Sequence, residues 1–265
     1  MQIRKLILPV AGLGKRLQPL TFSLPKNLVS LRGRPLVEYA IDEAAAAGLA
    51  QIILVASPEH KTQYEKYLLQ AQKRYPALIF HLQLQPEAWG DGHAVLMAQD
   101  LIAGEPFAVR FCDDVIVDRQ PTLPQLIRLA ETKAAPAILL ERVPEEEVSR
   151  YGVVRGEKIE DRTYRLQEIV EKPARAEAPS NLIVIGGYAL TGRVMETLAE
   201  MWQKTRPAKD ALRIAHALGR LAADGEAIYG WEFPGVRLDC GTLAGLHYAE
   251  EYLAAHQIEV LPARS

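Results

Sequence analysis

The sequence predicts an α/β fold in which helices doubly wind a mainly parallel sheet. In the first half of the chain, short apolar runs typical of buried strands alternate with longer stretches of helical periodicity. Such alternation favours a parallel sheet, because consecutive parallel strands need a crossover segment between them. The predicted strands are Lys5–Pro9, Gln51–Ser57, Leu78–Leu84 and Phe107–Cys112, and the predicted helices are Pro35–Gly48, Glu59–Arg74 and Gly92–Ile102.

The first of these helices has sequence signals at both ends. Pro35 suits the first helical position, where its missing N–H costs nothing, and Gly48 can end the helix. Val37, Ile41 and Ala44 share the face that would pack on the sheet. In sheets of this kind, ligands bind beyond the carboxyl ends of the strands, and the unusual residues of this chain occur there.

The second half of the chain is predicted to extend the sheet with mixed strands. Apolar runs there are joined by charged turns, and no repeat or flexible linker interrupts them. We therefore predict one continuous domain over residues 1–265, with halves of about 1–118 and 119–265. The predicted strands are Pro136–Val143, Tyr151–Val154, Leu166–Val170, Leu182–Leu190 and Ala227–Phe233, and the predicted helices are Val194–Gln203, Asp210–Asp224 and Leu243–Ala255.

Composition and charge exclude several classes of partner. The formal net charge is -2, so no global basic field favours nucleic acid or an anionic membrane. No apolar stretch approaches the roughly 20 residues of a membrane span, and the N-terminus lacks the features of a signal peptide. Cys112 and Cys240 are far apart and predict buried thiols rather than a disulfide framework or a zinc site. We expect a cytoplasmic protein.

A glycine-rich loop follows the first predicted strand. Gly12 and Gly14 let backbone N–H groups approach a phosphate, and Arg16 and Lys26 could neutralise it. The spacing lacks the third glycine of a dinucleotide fingerprint, and Ser or Thr does not follow Lys15 as a P-loop requires. Glycines after a strand do not alone decide between a phosphate site and a solvated loop.

The loop is one of several ordered motifs, and together they resemble the sugar-nucleotidyltransferase family. Within it, the sequence is most similar to bacterial UTP–glucose-1-phosphate uridylyltransferases and their thymidylyltransferase relatives. The similarity extends nearly from end to end. The motifs are AGxGxRLxPLTxxxPKxL (11–28), RPLVEYAIDEAAAAGL (34–49), QPEAWGDGHAVL (85–96), FCDD (111–114), YGVV (151–154), VEKP (170–173), SNLIVIGGY (180–188) and LDCGT (238–242).

The resemblance implies a nucleotide site in the first half of the chain. Arg16 and Lys26 match the basic residues that hold the triphosphate and act in catalysis. The backbone of the loop that cradles the triphosphate is assigned to Ala11, Gly12 and Gly14, and contacts to the base are assigned to Gln85 and Gly90. An amide side chain suits a pyrimidine edge because it both donates and accepts hydrogen bonds.

The resemblance also implies a metal site and a sugar-phosphate site. Asp113 and Asp239 match the carboxylates that bind Mg²⁺, a cation that takes oxygen ligands and often only one or two carboxylates. Lys172 matches the lysine that grips the sugar phosphate. The residues assigned to the sugar are Asp114, Gly152, Glu171, Val184 and Gly186. Under the same resemblance, the sheet is Rossmann-like and is extended by a mixed sugar-binding half.

The implied reaction joins a nucleoside triphosphate, UTP first, to a sugar 1-phosphate, glucose 1-phosphate first, and releases pyrophosphate. The alternatives are a dTTP-using thymidylyltransferase, a non-catalytic regulatory paralogue that binds nucleotide-sugars, and a nicotinamide-dependent oxidoreductase. We expect a homo-oligomer. One segment departs from the family pattern: at 210–218, Ala211, Arg213, Ala215 and His216 replace a usual polar set.

Overall fold

The computed structural model describes residues 1–205 and 212–257. Its strands are β1 Lys5–Pro9, β2 Ser30–Leu31, β3 Arg34–Pro35, β4 Gln51–Ala56, β5 Ile79–Leu84, β6 Phe107–Arg110, β7 Asp114–Val117, β8 Ala137–Arg142, β9 Gly152–Glu160, β10 Thr163–Glu171, β11 Leu182–Leu190, β12 Tyr229–Glu232 and β13 Val236–Asp239. Its α-helices are α1 Leu36–Ala46, α2 Lys61–Arg74, α3 Asp91–Leu96, α4 Gln99–Ile102, α5 Thr122–Lys133, α6 Gly192–Thr205, α7 Ile214–Ala223 and α8 Leu243–Ala255.

The described residues form two compact units. Unit A contains Arg4–Ala88, Arg110–Pro124 and the described residues from Gly235 onward. Unit B contains Met1–Ile3, Trp89–Val109 and the described residues of Gln125–Pro234. The single continuous domain expected from the sequence, with halves meeting near residue 118, stays a prediction.

Unit A contains parallel strands in the order β5-β4-β1. Lys5 aligns with Gln51 and Gln51 with Ile79, so the three strands run side by side in register. Leu6, Ile7 and Leu8 are fully buried, as befits a strand covered on both faces. The glycine loop begins where β1 ends.

One apolar cluster of unit A holds together segments that are far apart in sequence. Strand β13 pairs antiparallel with β7 and places Asp239 opposite Asp114. Helix α8 follows β13 and packs its apolar residues against the same pair of strands. The buried members of the cluster are Leu17, Val29, Leu31, Leu36, Tyr39, Val115, Leu238, Cys240, Leu246, Ala249 and Leu253.

Unit B contains a mixed sheet with the strand order β6-β11-β8-β12-β10-β9. Strand β12 is parallel to β8, whereas β11–β8, β10–β12 and β10–β9 are antiparallel pairs. Gly152 opposes Glu171 at one end of the β9–β10 pair. Helix α7 packs on β10, with Gly219 close to the backbone of Ile169.

Most predicted elements are confirmed, and the differences have physical reasons. Strand β9 runs longer than its apolar run, and its additional residues 155–160 are mostly exposed and charged, so they carry no apolar signal. Strand β10 begins three residues before the predicted start, and Thr163 and Tyr164 in this extension are buried. The predicted helix over 92–102 is divided into α3 and α4. Helix α5 was not predicted, although Leu123, Leu126, Ile127 and Ala130 are buried at helical spacing.

Two further predictions concern the helix over 210–224 and the two cysteines. The helix predicted over 210–224 is found as α7 from Ile214, while residues 210 and 211 lie outside the described part of the chain. Both cysteines are free and buried, as predicted. Among the described residues, no helix combines the length and the apolar character needed to cross a membrane.

Candidate active site

The glycine loop of unit A is shaped by contacts that only glycine permits at position 14. Gly14 has a left-handed φ of 64°, and its carbonyl accepts a hydrogen bond from Thr21 Oγ1 at 2.9 Å. A Cβ added at Gly14 would lie 2.7 Å from Lys26 Cβ and 2.9 Å from Thr21 Cγ2. The loop is therefore folded back against the segment that carries Lys26. Ala11 beside it is buried, while Gly12 is exposed.

Lys26 joins this loop to the FCDD segment. Its Nζ donates a hydrogen bond to Asp113 Oδ2 at 2.6 Å, and it lies 3.9 Å from the position of a Cβ on Gly12. Burial disfavours both charges, but the attraction within the pair prevails, so the pKa of Lys26 is raised and the pKa of Asp113 is lowered from its ordinary value. Both groups are therefore charged at neutral pH.

Asp239 of β13 lies close to Asp113 although 126 positions separate them in the sequence. A Cβ on Gly241 would lie 3.0 Å from Asp113 Oδ2 and 3.0 Å from Asp239 Oδ1, so these oxygens are at most 6.0 Å apart, twice that distance. Arg16 Nη2 lies 3.2 Å from the same point. The backbone fixes the arrangement, because Cys240 N–H donates to the Asp113 carbonyl at 2.7 Å.

Asp114, the other acidic residue of the FCDD segment, is held by two arginines that the sequence analysis missed. Arg237 Nη1 donates to Asp114 Oδ1 at 3.0 Å, and Arg110 Nη2 donates to the Asp114 carbonyl at 2.7 Å. Arg110 is buried and pairs with Glu43 at 2.8 Å. The position of Arg237, two residues before Asp239, was the available signal.

In unit B, the structure brings together three residues assigned to the sugar. A Cβ on Gly152 would lie 3.2 Å from Glu171 Oε2 and 3.7 Å from Val184 Cβ. The pairing of Val153 with Ile183 places these segments side by side. Gly186 is buried in the same strand, β11. Arg213 Nε lies 3.3 Å from Glu171 Oε1, a contact that the sequence did not predict.

Lys172 follows directly after β10 and has an unusual backbone. Its φ of 49° is left-handed, which is uncommon for a residue other than glycine. Its N–H donates to the Tyr151 carbonyl at 3.0 Å, which holds the turn in place. The side chain is exposed, and its ammonium has no ion pair with any residue that the structure describes. This group is available to bind an anion.

The two residues assigned to the base are located in different units. Gln85 follows β5 in unit A and is buried. Its backbone N–H donates a hydrogen bond to the Ala56 carbonyl at 2.8 Å. Gly90 precedes α3 in unit B and has a φ of 101°, a conformation that strongly favours glycine. The structure thus gives a backbone reason for glycine at 90.

The acidic residues of unit A suit a hard cation better than a soft one. The described residues contain no group of three or more His, Cys, Asp or Glu side chains that could enclose a metal. Mg²⁺ needs only one or two carboxylates when phosphate oxygens complete its shell at about 2.1 Å. Asp113 and Asp239 supply two carboxylates close to each other, so the residue types present fit Mg²⁺.

Comparison with known proteins agrees with these features. The nucleotidyl transferase family model matches residues 5–256. A UTP–glucose-1-phosphate uridylyltransferase of Pseudomonas aeruginosa is 35% identical over 264 residues, covering 92% of this chain and 93% of that protein. The Bacillus subtilis protein of the same name is 34% identical over 262 residues, covering 92% and 88%. A crystal structure of a UDP-glucose pyrophosphorylase complexed with UDP-glucose matches with a TM-score of 0.86 at 33% identity, covering 96% and 100%.

The chain therefore belongs to the nucleotidyl transferase family and has the mixed α/β fold of that family. Among the proteins of this family, it is similar to UTP–glucose-1-phosphate uridylyltransferases over most of its length. The resemblance drawn from the sequence motifs is confirmed. Membership of this family argues against a nicotinamide-dependent oxidoreductase, in agreement with the incomplete glycine fingerprint.

Proposed function

We propose that this protein forms UDP-glucose and pyrophosphate from UTP and glucose 1-phosphate. The observation that carries the proposal is the cluster of Arg16, Lys26, Asp113 and Asp239 in unit A, found in a chain similar to enzymes named for this reaction. A regulatory paralogue without catalysis would not need to keep two cations and two carboxylates together. Each of the four side chains has a use in phosphoryl-type transfer.

In the proposed reaction, the phosphate oxygen of glucose 1-phosphate attacks the α-phosphorus of UTP. A new O–P bond forms, the bond from the α-phosphorus to the bridging oxygen breaks, and pyrophosphate leaves with the electron pair. No protein nucleophile takes part. Lys26 and Arg16 bind the triphosphate oxygens, with backbone donors at Ala11, Gly12 and Gly14, and Lys172 holds the sugar phosphate. Alignment and charge neutralisation supply the catalysis.

We assign Mg²⁺ to Asp113 and Asp239. The charges of the cluster support this assignment, because the two carboxylates offset Arg16 and Lys26 and leave no surplus positive charge for a triphosphate. When bound, the ion would offset repulsion between the two anionic substrates. The ion pair between Arg237 and Asp114 would hold the Asp114 carboxylate, which we assign to the sugar, in a fixed orientation.

The sugar and base sites complete the proposal. Glu171 accepts hydrogen bonds from sugar hydroxyls, and the backbone at Gly152, Val184 and Gly186 contacts the ring. Gln85 and Gly90 contact the uracil. We further propose that the parallel strands β5-β4-β1 are part of a doubly wound, Rossmann-like sheet. The homo-oligomeric state and the cytoplasmic location stay predictions.

A screen of pyrophosphate release tests the proposed function directly. The protein is incubated with UTP, dTTP, CTP, ATP or GTP and with each of several sugar 1-phosphates, in the presence of Mg²⁺. We expect the fastest release with UTP and glucose 1-phosphate. Faster release with dTTP would favour the thymidylyltransferase instead, and no release with any pair would favour the regulatory paralogue. One methyl group separates the two bases, worth about 1–3 kcal/mol, so both nucleotides are compared by kcat/KM.

Replacing Gln85 by alanine is expected to weaken UTP binding and to reduce discrimination against ATP. Loss of a specific buried polar pairing costs roughly 1–3 kcal/mol. The measurement is the ratio of kcat/KM for UTP to that for ATP. Gln83→Ala, two residues earlier in β5, serves as the control and should leave this ratio unchanged. An unchanged ratio in Gln85→Ala would remove Gln85 from the base site.

A further inference from the structure

One guanidinium in unit B bridges two carboxylates from different elements. Arg213 Nη1 lies 3.1 Å from Asp91 Oδ2, and Arg213 Nε lies 3.3 Å from Glu171 Oε1. Asp91 is at the start of α3, directly after Gly90, while Glu171 ends β10. Arg213 thus connects the carboxylate that we assign to the sugar with the segment that follows the assigned base residue.

The backbone around Arg213 is held by contacts that do not involve its side chain. Leu212 N–H donates to the Trp89 carbonyl at 2.8 Å, and Gly92 N–H donates to the Leu212 carbonyl at 3.0 Å. Close packing adds to these bonds, because a Cβ on Gly92 would lie 2.8 Å from the carbonyl carbon of Arg213. Hydrogen bonds and close packing therefore hold the backbone that carries the guanidinium.

The two carboxylate oxygens of Glu171 have different neighbours. Oε1 faces the guanidinium, whereas Oε2 lies 3.2 Å from the Cβ position of Gly152. Within the described part of the chain, Glu171 has no second ion pair. One oxygen is held and the other is left beside Gly152, where it can accept a hydrogen bond from a ligand.

We propose that Arg213 is a positioning residue that fixes the carboxylate of Glu171 and thereby determines which sugar epimer is accepted. The proposal rests on the function proposed above, in which Glu171 binds sugar hydroxyls. A carboxylate that rotates freely can follow either an axial or an equatorial hydroxyl. A carboxylate held by an arginine accepts only the hydroxyl that points at its remaining oxygen.

The effect of Arg213 should fall on the sugar and not on the nucleotide. Asp91 has a second anchor, because Ile214 N–H donates to Asp91 Oδ1 at 2.8 Å. Removal of the guanidinium therefore leaves Asp91 and the start of α3 in place. Glu171 would lose the only ion pair that it makes with the residues described in the structure.

The test compares Arg213→Gln with Arg155→Gln. Arg155 also pairs with a glutamate of β10, Glu168, at 2.8 Å, but on the exposed part of the hairpin, so it controls for loss of an ion pair. In Arg213→Gln, we expect the KM for glucose 1-phosphate to rise about tenfold or more, as for other truncated charge pairs, and the KM for UTP to stay within about twofold. Selectivity over galactose 1-phosphate, the C4 epimer, or mannose 1-phosphate, the C2 epimer, should fall. Arg213→Lys should restore part of it.

A double-mutant cycle separates positioning from a merely structural role. If Arg213 acts through Glu171, Arg213→Gln combined with Glu171→Gln should be no worse than Glu171→Gln alone. Independent losses, equal increases in both KM values, or behaviour like that of Arg155→Gln would overturn the proposal.

A crystal structure of Arg213→Gln supplies a readout that does not depend on activity. Glu171 is expected to leave its position beside Gly152, and an unmoved carboxylate would contradict the proposal. Wild-type turnover, measured first, tests the proposed function separately. If the wild type prefers another sugar 1-phosphate, the same comparison is made with that sugar.

Discussion

Asp113→Asn and Asp239→Asn are each expected to lower turnover by about 100-fold or more, because a metal acting as a Lewis acid supplies several kcal/mol of charge stabilisation. Each change keeps the shape of the side chain and removes its charge. Asp239→Asn is the cleaner variant, since it leaves the 2.6 Å ion pair of Lys26 with Asp113 intact and can still accept the Gly241 N–H. Turnover is measured with UTP and glucose 1-phosphate over a range of Mg²⁺ concentrations.

The double variant distinguishes one shared ion from two independent roles. If both carboxylates bind the same Mg²⁺, Asp113→Asn with Asp239→Asn should be little worse than either single variant. Excess Mg²⁺ should restore part of the activity of each single variant. Multiplying losses, or no response to Mg²⁺ in either single variant, would contradict a shared ion.

Two controls test whether loss of fold, and not loss of the metal, causes the lower turnover. Asp118→Asn changes an acidic residue directly after β7 in the same unit, at the Val117–Val236 end of the strand pair and not at the Asp114–Asp239 end. It should retain wild-type turnover. Thermal melts of all the variants complete the control, because Asp113→Asn leaves the Lys26 ammonium without its partner.

Lys172→Ala is expected to raise the KM for glucose 1-phosphate far more than the KM for UTP. Its exposed ammonium makes no ion pair within the described residues, so its loss disturbs no internal pair. A phosphate left partly unpaired should lose roughly 2–5 kcal/mol of binding. The measurement is the change in each KM in steady-state kinetics.

Two further variants serve as controls for Lys172→Ala. Lys158→Ala removes another exposed lysine from the β9–β10 hairpin and should change neither KM. Lys172→Arg keeps the charge and should retain part of the binding. Equal increases in both KM values for Lys172→Ala would mean that Lys172 serves the triphosphate or the fold instead.

Local sequence patterns predicted most of the elements that carry the site. The strand Lys5–Pro9, the strand Leu182–Leu190 and the helix Leu243–Ala255 have the predicted bounds, because each is a periodic apolar segment between turn residues. The exposed, charged end of β9 was missed, since it carries no apolar signal. The roles of individual site residues came from the resemblance, and they stay proposals until the variants are measured.

The linear motifs of this chain are enough to identify its family and the residue types that it offers to phosphate. A glycine loop, an aspartate pair after a strand and a Glu-Lys pair after another are local features that a linear motif records. Which side chains contact one another became clear from the folded chain. The pairing of β13 with β7 brings Asp239 beside the FCDD segment, and the docking of Leu212 on α3 brings Arg213 to Glu171. Such contacts depend on long-range strand pairing and packing, which no local periodicity specifies.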